Sequence, residues 1–339
     1  MTDSTTSRAD RLRAARRAAE FRAEKLAALR AFFAARNVLE IEAPLLSRGA
    51  SHDAHIGVIA VPPAFAGAGS QAVTDVTRYL QTSPEPHLKR LLARGFPDVY
   101  SIGKSFRRDE AGARHNPEFT MIEWYRLGFK LRRMMEETVA VCSLVADGAT
   151  PRETDFLLYV ETFHERTGLH PRKSTRDELL AHPVFAARGL MPGDHATIFP
   201  EKTDVLNFLM AEVVEPTFDP AKFTVVHHFP IELAAQAEPD QEEPFLAQRF
   251  EVYAGGMELA NGYKELIDTR EYRMRFEAEN AKRTGLGLPV IPLHEGFFTD
   301  LGAGLPACAG VAGGFDRLLM LGLGADDIRD VLMFPWDVA

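Results

Sequence analysis

Two stretches of this chain, VYSIGKSFRR (99–108) and EFTMIEWYRLGF (118–129), alternate with a period of two and are separated only by the polar loop DEAGARHNP. A strand sends successive side chains to opposite faces, so the second stretch sets Phe119, Met121, Glu123 and Tyr125 on one surface and Thr120, Ile122 and Trp124 on the other. Two such segments joined by one loop form an antiparallel pair. RFEVYAGGMELANGYKEL adds two more strands about a Gly255-Gly256 turn. In VLEIEAPLLS, Leu39, Ile41 and Ala43 alternate with Glu40 and Glu42, and Pro44 restricts that strand to an edge or an end. Between the strands lie helical patterns: a long one from Ala9 to Ala35 that stops at Asn37, one containing Leu88, Leu91 and Leu92, residues 130–225 for the most part, the charged TREYRMRFEAENAKRTG, and an apolar one after GVAGG. Strands that recur with helices between them, without regular βαβ spacing, predict an α+β fold in which helices flank an antiparallel β-sheet.

Parity then suggests a site. On the partner strand Ser105, Arg107 and Asp109 share a face, and if it coincides with the Phe119 face, Arg107 stands beside an aromatic ring and a carboxylate. Around the Gly255-Gly256 turn Tyr253 faces Glu258, and Glu251 lies two residues back, so two acids with nothing basic between them converge on a hard cation such as Mg²⁺. Asn261, Tyr263 and Glu265 have the opposite parity to Glu258, so a bulge is required for all to reach one site, and Gly262 is the candidate. GVAGGFDR brings glycines up to Arg317. Each pattern also has an ordinary explanation: an exposed ion pair, a solvated acidic face, a packed strand-to-helix corner.

With 46% hydrophobic and 26% charged residues the 339-residue chain can bury a sizeable core, while a net charge of -9 argues against a broad basic face for nucleic acid. Cys142 and Cys308 make neither a disulfide framework nor a zinc knuckle. The arginine-containing start has no apolar segment and carries Asp3, Asp10, Glu20 and Glu24, and no run is long enough to span a bilayer; a cytoplasmic protein without membrane contact is expected.

The joint order of these segments resembles class II aminoacyl-tRNA synthetases over nearly the whole length. LEIEAPLLS is similar to their motif 1, FRRDEAGARHNPEFTMIEWY to motif 2 and GVAGGFDRLLML to motif 3. SPEPHLKRL and ELANGYKEL resemble the lysine-specific members, and RFEVY with NPEFTMIEWYR resembles the elongation factor P lysine or (R)-β-lysine ligases, truncated paralogues of lysyl-tRNA synthetase. The motif 1-like segment begins at Leu39, so residues 1–339 are expected to be one catalytic domain without an N-terminal anticodon-binding barrel. The resemblance implies ATP as substrate with Mg²⁺, the adenine stacked between Phe119 and Arg317, and Arg107 on the α-phosphate, with Arg107 and Arg317 as catalytic residues. It further implies Asp109, His115, Asn116 and Glu251 around ATP, and Glu251 and Glu258 on the metal.

For a lysine-like substrate the acids Glu85, Glu123 and Glu265 suit ammonium groups, with Ser83, Tyr125 and Asn261 as neutral partners. Taken alone, Glu85 is better explained as an acid at a helix N-terminus. Ala312, where lysyl-tRNA synthetases usually have glycine, implies a preference for (R)-β-lysine over α-lysine. Arg107-Arg108-Asp109 replaces the family's Arg-x-Glu with an acid one methylene shorter, and Glu110 stands next to it. Elongation factor P as acceptor and a homodimer follow from the same resemblance. Two other functions share these motifs: charging of tRNA by a short lysyl-tRNA synthetase-like enzyme, which the charge disfavours, and lysine binding by an inactive regulatory paralogue.

Overall fold

The computed structural model describes residues 8–63, 77–146 and 152–339. The reading of the extreme N-terminus as lacking a targeting segment concerns, at residues 1–7, positions outside that range. Helix α1 (Arg8–Ala34) leads to Asn37, whose φ of 55° turns the chain into the first strand. The strands are β1 (Leu39–Glu40), β2 (Leu46–Ser47), β3 (Ala60–Val61), β4 (Arg78–Leu80), β5 (Val99–Phe106), β6 (Glu118–Leu127), β7 (Thr154–Leu158), β8 (Phe223–Pro230), β9 (Leu246–Ala254), β10 (Met257–Lys264) and β11 (Cys308–Gly314). Eight form one sheet in the order β1-β5-β6-β11-β10-β9-β8-β7, and β2, β4 and β3 form a small second sheet.

The expected antiparallel sheet is present through its centre, but both margins differ: β1 pairs with β5, and β7 with β8, in parallel. The strands β7 and β8 also correct the helical reading of residues 130–225, because Thr154–Leu158 and the start of Phe223–Pro230 lie within it. A short apolar run is as compatible with a buried helix as with a strand, and a parallel partner comes only after a long crossover. The segment expected to be one strand from Val38 to Ser47 shrinks to two residues at the sheet edge and two in the small sheet.

Helices α2 (Glu85–Ala93), α3 (Leu131–Ala146), α4 (Tyr159–Thr167), α5 (Lys202–Leu209), α6 (Thr269–Gly285), α7 (Glu295–Gly302) and α8 (Phe315–Leu323) pack around the sheet. On one face Ile122 and Trp124 join Phe33 of α1, Met134 and Met135 of α3, and Phe315, Leu318 and Leu319 of α8 in the main core. Arg22 of α1 donates to Asp316 of α8, whose other carboxylate oxygen accepts from the Thr120 amide at 2.6 Å, so the three layers are joined by a buried charged contact as well as by apolar area. On the other face α2, α6 and α7 close over Tyr125, Leu266 and Cys308 at one end and leave the rest of the sheet as the floor of a cleft. Among the described residues no helix is long and apolar enough to cross a membrane.

Candidate active site

The cleft has a volume of about 790 Å³ and is floored by β6, β11, β10 and β9, with Arg107 reaching it from just beyond β5. Register explains which side chains line it. Glu123 of β6 lies opposite Ala312 of β11, Ala312 opposite Asn261 of β10, and Asn261 opposite Glu251 of β9, one row across four strands. Residues directly opposed in a ladder share a face, so all four look into the cleft. Glu258 does so too, because it faces Tyr253 and the register slips by one residue between Glu258 and Ala260. The required bulge therefore exists, at Leu259 and not at Gly262 as expected. Gly262 is instead a packing glycine, since a Cβ there would lie 2.5 Å from the Phe250 ring. The turn itself needs its glycines: φ is 57° at Gly255 and 71° at Gly256.

At one end of the cleft stand the arginines. Ser105 pairs with Phe119, so the faces of β5 and β6 coincide, and the Arg107 guanidinium sits 5.2 Å from the centre of the Phe119 ring. Arg107 also meets Glu110 at 3.3 Å, and its buried Nε has no acceptor. From the first turn of α8, Arg317 donates to the Glu258 carbonyl at 2.9 Å and lies 2.6 Å from His115 Nε2. Burial and the charge of Arg317 lower the pKa of His115, leaving its imidazole neutral and able to accept.

One reading of this loop needs correction. Asp109 does not line the cleft; it is 69% exposed and pairs with its neighbour Arg108, while Glu110 points in beside Arg107. The side chain of Asn116 lines the cleft with its amide already committed, its Nδ2 donating to the Glu118 carbonyl at 2.6 Å and its Oδ1 accepting from the Trp336 amide at 3.0 Å.

The middle of the floor is acidic. Glu251 accepts from Arg249 at 2.6 Å, from Asn261 at 3.3 Å and from the Tyr253 hydroxyl, so the pair expected to have nothing basic between its members has a guanidinium beside Glu251, from two positions earlier on the same face. Burial and then the charge of Glu251 raise the proton affinity of Glu258, which retains 41% side-chain exposure to the cleft. Glu215, outside the expected set, belongs to the same group: burial, Glu251 and Glu258 push its carboxyl up to about 7.

The far end holds the other acids. Glu123 accepts from the Ser83 hydroxyl at 2.6 Å and from the Tyr125 hydroxyl at 2.8 Å. Burial, followed by the charge of Glu85, pushes its carboxyl up to about 8. Glu85 and Glu265 are not free carboxylates: Lys89, fully buried on α2, reaches Glu85 at 2.5 Å and Glu265 at 2.6 Å, and donates to the Tyr272 hydroxyl at 3.0 Å. Burial works to lower the Lys89 pKa, yet the two carboxylates hold it well above the ordinary lysine value. Gly310 makes room for this assembly, because a Cβ there would lie 2.3 Å from the Tyr125 ring and 2.4 Å from Glu265 Oε1. The buried Asn261 Oδ1 and both oxygens of Glu265 accept no aligned hydrogen bond.

Lys89 was legible only as one polar residue in the apolar run HLKRLL, four positions after Glu85 and so on the same helix face. Arg249 had the parity of Glu251. Tyr272 and Gln236, which also meet Lys89, come from segments whose approach no local pattern announces.

The family model of class II tRNA synthetases (D, K and N) matches residues 6–338. The chain is 41% identical over 313 residues to the elongation factor P–(R)-β-lysine ligase of Photorhabdus laumondii, covering 92% of this chain and 93% of that one. It is 41% identical over 307 residues to the ligase of the same name from Proteus mirabilis, with 91% of each chain covered. To the Salmonella typhimurium ligase it is 40% identical over 318 residues, 94% of each.

Proposed function

The chain belongs to the class II tRNA synthetases and, within them, to the family of elongation factor P–(R)-β-lysine ligases, and on that premise we propose that it activates a lysine-type amino acid with ATP and transfers it to a lysine ε-amine of elongation factor P. One observation carries the reading of the site: charge at the two ends of the cleft is of opposite sign. Arg107 and Arg317 stand at one end, where the buried Arg107 Nε has no acceptor, while Glu123, held only by the hydroxyls of Ser83 and Tyr125, stands at the other. Buried polar atoms call for partners, so the cleft suits a ligand with an anion at one end and ammonium at the other.

Phe119 and Arg317 would stack on the adenine, a contact of about 0.5–2 kcal/mol, after Arg107 has left the ring for the α-phosphate. The amino-acid carboxylate attacks the α-phosphorus, an O–P bond forms and pyrophosphate leaves. Arg107 offsets the charge that grows on the phosphoryl oxygens, and neutral His115 with Arg317 donates to the departing group. Glu251 and Glu258 would hold Mg²⁺. Their hard oxygen donors fit that ion, and the Glu258 side chain is 41% exposed where it meets the cleft. Among the described residues no three His, Cys, Asp or Glu side chains form a complete cage, so phosphate oxygens and water would supply the remaining ligands. When bound, the ion supplies positive charge to the phosphates. Glu110 takes the part expected of Asp109.

Glu123 and Asn261 would receive the ammonium groups, with Ala312 between them in the row crowding an α-ammonium and tolerating the amine one carbon along. In the second step the ε-amine of the acceptor attacks the carbonyl carbon of the adenylate, AMP departs, and the amine must arrive deprotonated. We also propose a homodimer through the motif 1 segment, supported by the exposure of Leu39, Leu45 and Leu46 at 43–50%, and a single catalytic unit over the matched residues. Mass spectrometry of elongation factor P incubated with the protein, ATP and (R)-β-lysine tests the reading: one added β-lysyl group is expected, and an unmodified factor alongside aminoacylated tRNA would overturn it.

A further inference from the structure

Lys89 occupies an unusual position. It is 0% exposed, and its ammonium contacts Glu85, Glu265, the Tyr272 hydroxyl and, at 3.4 Å, the Gln236 side-chain oxygen, so no N–H donor is left over. Glu265, itself 0% exposed, has no aligned donor on either oxygen, so the charge of Lys89 at 2.6 Å is what opposes the cost of ionising it there. Glu123, by contrast, is held by two neutral hydroxyls, those of Ser83 and Tyr125. The far end of the cleft thus contains three carboxylates and one resident ammonium.

We propose that Lys89 is a specificity-determining residue of the amino-acid pocket: by cancelling one of the three carboxylates it leaves a charge of minus two, which a ligand with two ammonium groups neutralises. A ligand with one ammonium would leave an uncompensated buried carboxylate, and a pocket without Lys89 would hold one carboxylate too many for its proper ligand; both are strongly unfavourable in a desolvated site. This rests on the lysine-type reading above. A purely structural Lys89, clamping α2 against α6 and the end of β10, would influence folding without setting ligand charge.

The test is a cycle of four proteins, wild type, Lys89→Met, Glu265→Gln and the double variant, each followed by amino-acid-dependent ATP–pyrophosphate exchange. The ligands are (R)-β-lysine and its analogue with the terminal amine replaced by hydroxyl, and thermal unfolding monitors the fold. Lys89→Met should raise KM for (R)-β-lysine by roughly a hundredfold, with kcat changed by less than about threefold. Glu265→Gln should raise KM by roughly tenfold and narrow the discrimination against the hydroxyl analogue. The double variant, with the charge of the wild type restored, should return to within about tenfold of the wild-type KM. A double variant as poor as its worse parent overturns the proposal. Should Lys89→Met not fold, the decision passes to Glu265→Gln against the double variant, in which added loss overturns and recovery supports. Absence of exchange by the wild type with any lysine-type amino acid would instead defeat the functional reading itself.

Discussion

In the proposed reading, substrate affinity turns on Glu123. Its carboxyl is pushed up to about 8 by burial and the nearby charge of Glu85, against the stabilising hydroxyls of Ser83 and Tyr125. An ammonium ligand needs it ionised, so binding must release a proton below that value. The affinity for (R)-β-lysine should therefore rise by about tenfold per pH unit from about pH 6 to about pH 8 and then level off; Glu123→Gln should abolish the slope together with most of the affinity. Titration calorimetry in buffers of different ionisation enthalpy measures both, and a flat profile in the wild type would contradict this role. At the phosphate end, Arg317→Ala should reduce pyrophosphate exchange by about a hundredfold or more, since it removes a guanidinium aimed at developing charge. Glu123 was legible in the sequence because alternation assigns faces, Arg317 through the glycines before it and the resemblance of GVAGGFDRLLML to motif 3. Lys89 and Arg249 were not, since whether an acid is free or already paired depends on how far a neighbouring cation reaches after packing. The exchange of Asp109 for Glu110 had the same origin: loop residues follow no period.

Among the elements, β10 decides whether the two ends of the cleft cooperate. The extra residue at Leu259 brings Glu258 and Asn261 to the same face although their parities differ. Deleting Leu259 should restore regular pairing with Glu258 and Asn261, then two residues apart, both still on the floor, so activity should survive a loss of stability from the missing core side chain; circular dichroism would tell loss of the site from loss of the fold. On β11, Gly310→Ala should lower the unfolding free energy by about 1–3 kcal/mol, because the new methyl meets the Tyr125 ring and Glu265 within a packed assembly. Chemical denaturation measures it, and an unchanged midpoint would mean that the acids have room to move. The hairpin β9–β10 and the pair β5–β6 could be read from alternation and turn residues. β7 and β8 could not, since their pairing spans a crossover and their apolar runs have no distinguishing period.

For the molecule as a whole, burial raises the proton affinity of several carboxyls in and behind the cleft. Burial, with neighbouring acids, pushes Glu123 up to about 8 and Glu215 up to about 7; burial also pushes Glu265 up to about 7 against the opposing charge of Lys89. A carboxyl whose folded pKa is raised binds more protons in the native state than in the unfolded chain, so its contribution to stability is lost as pH rises through the folded value. The buried His52, His87 and His227, each lowered to about 4 chiefly by burial, act in the opposite sense, but only below the ordinary histidine value of about 6.5. Thermal stability of the empty protein should accordingly fall between about pH 6.5 and about pH 8.5, and a diammonium ligand should reverse the fall; a midpoint that climbs across that range would contradict it.

The central claim is that one cleft grips a nucleotide between Phe119 and Arg317 while its acidic end holds the amines of the amino acid. A crystal structure with a non-hydrolysable β-lysyl-adenylate analogue tests this most directly. The account predicts the adenine between those two side chains, Arg107 on the phosphoryl mimic and an ammonium within hydrogen-bonding distance of Glu123. An adenine bound away from Phe119, or amines directed to solvent with Glu123 untouched, would contradict it.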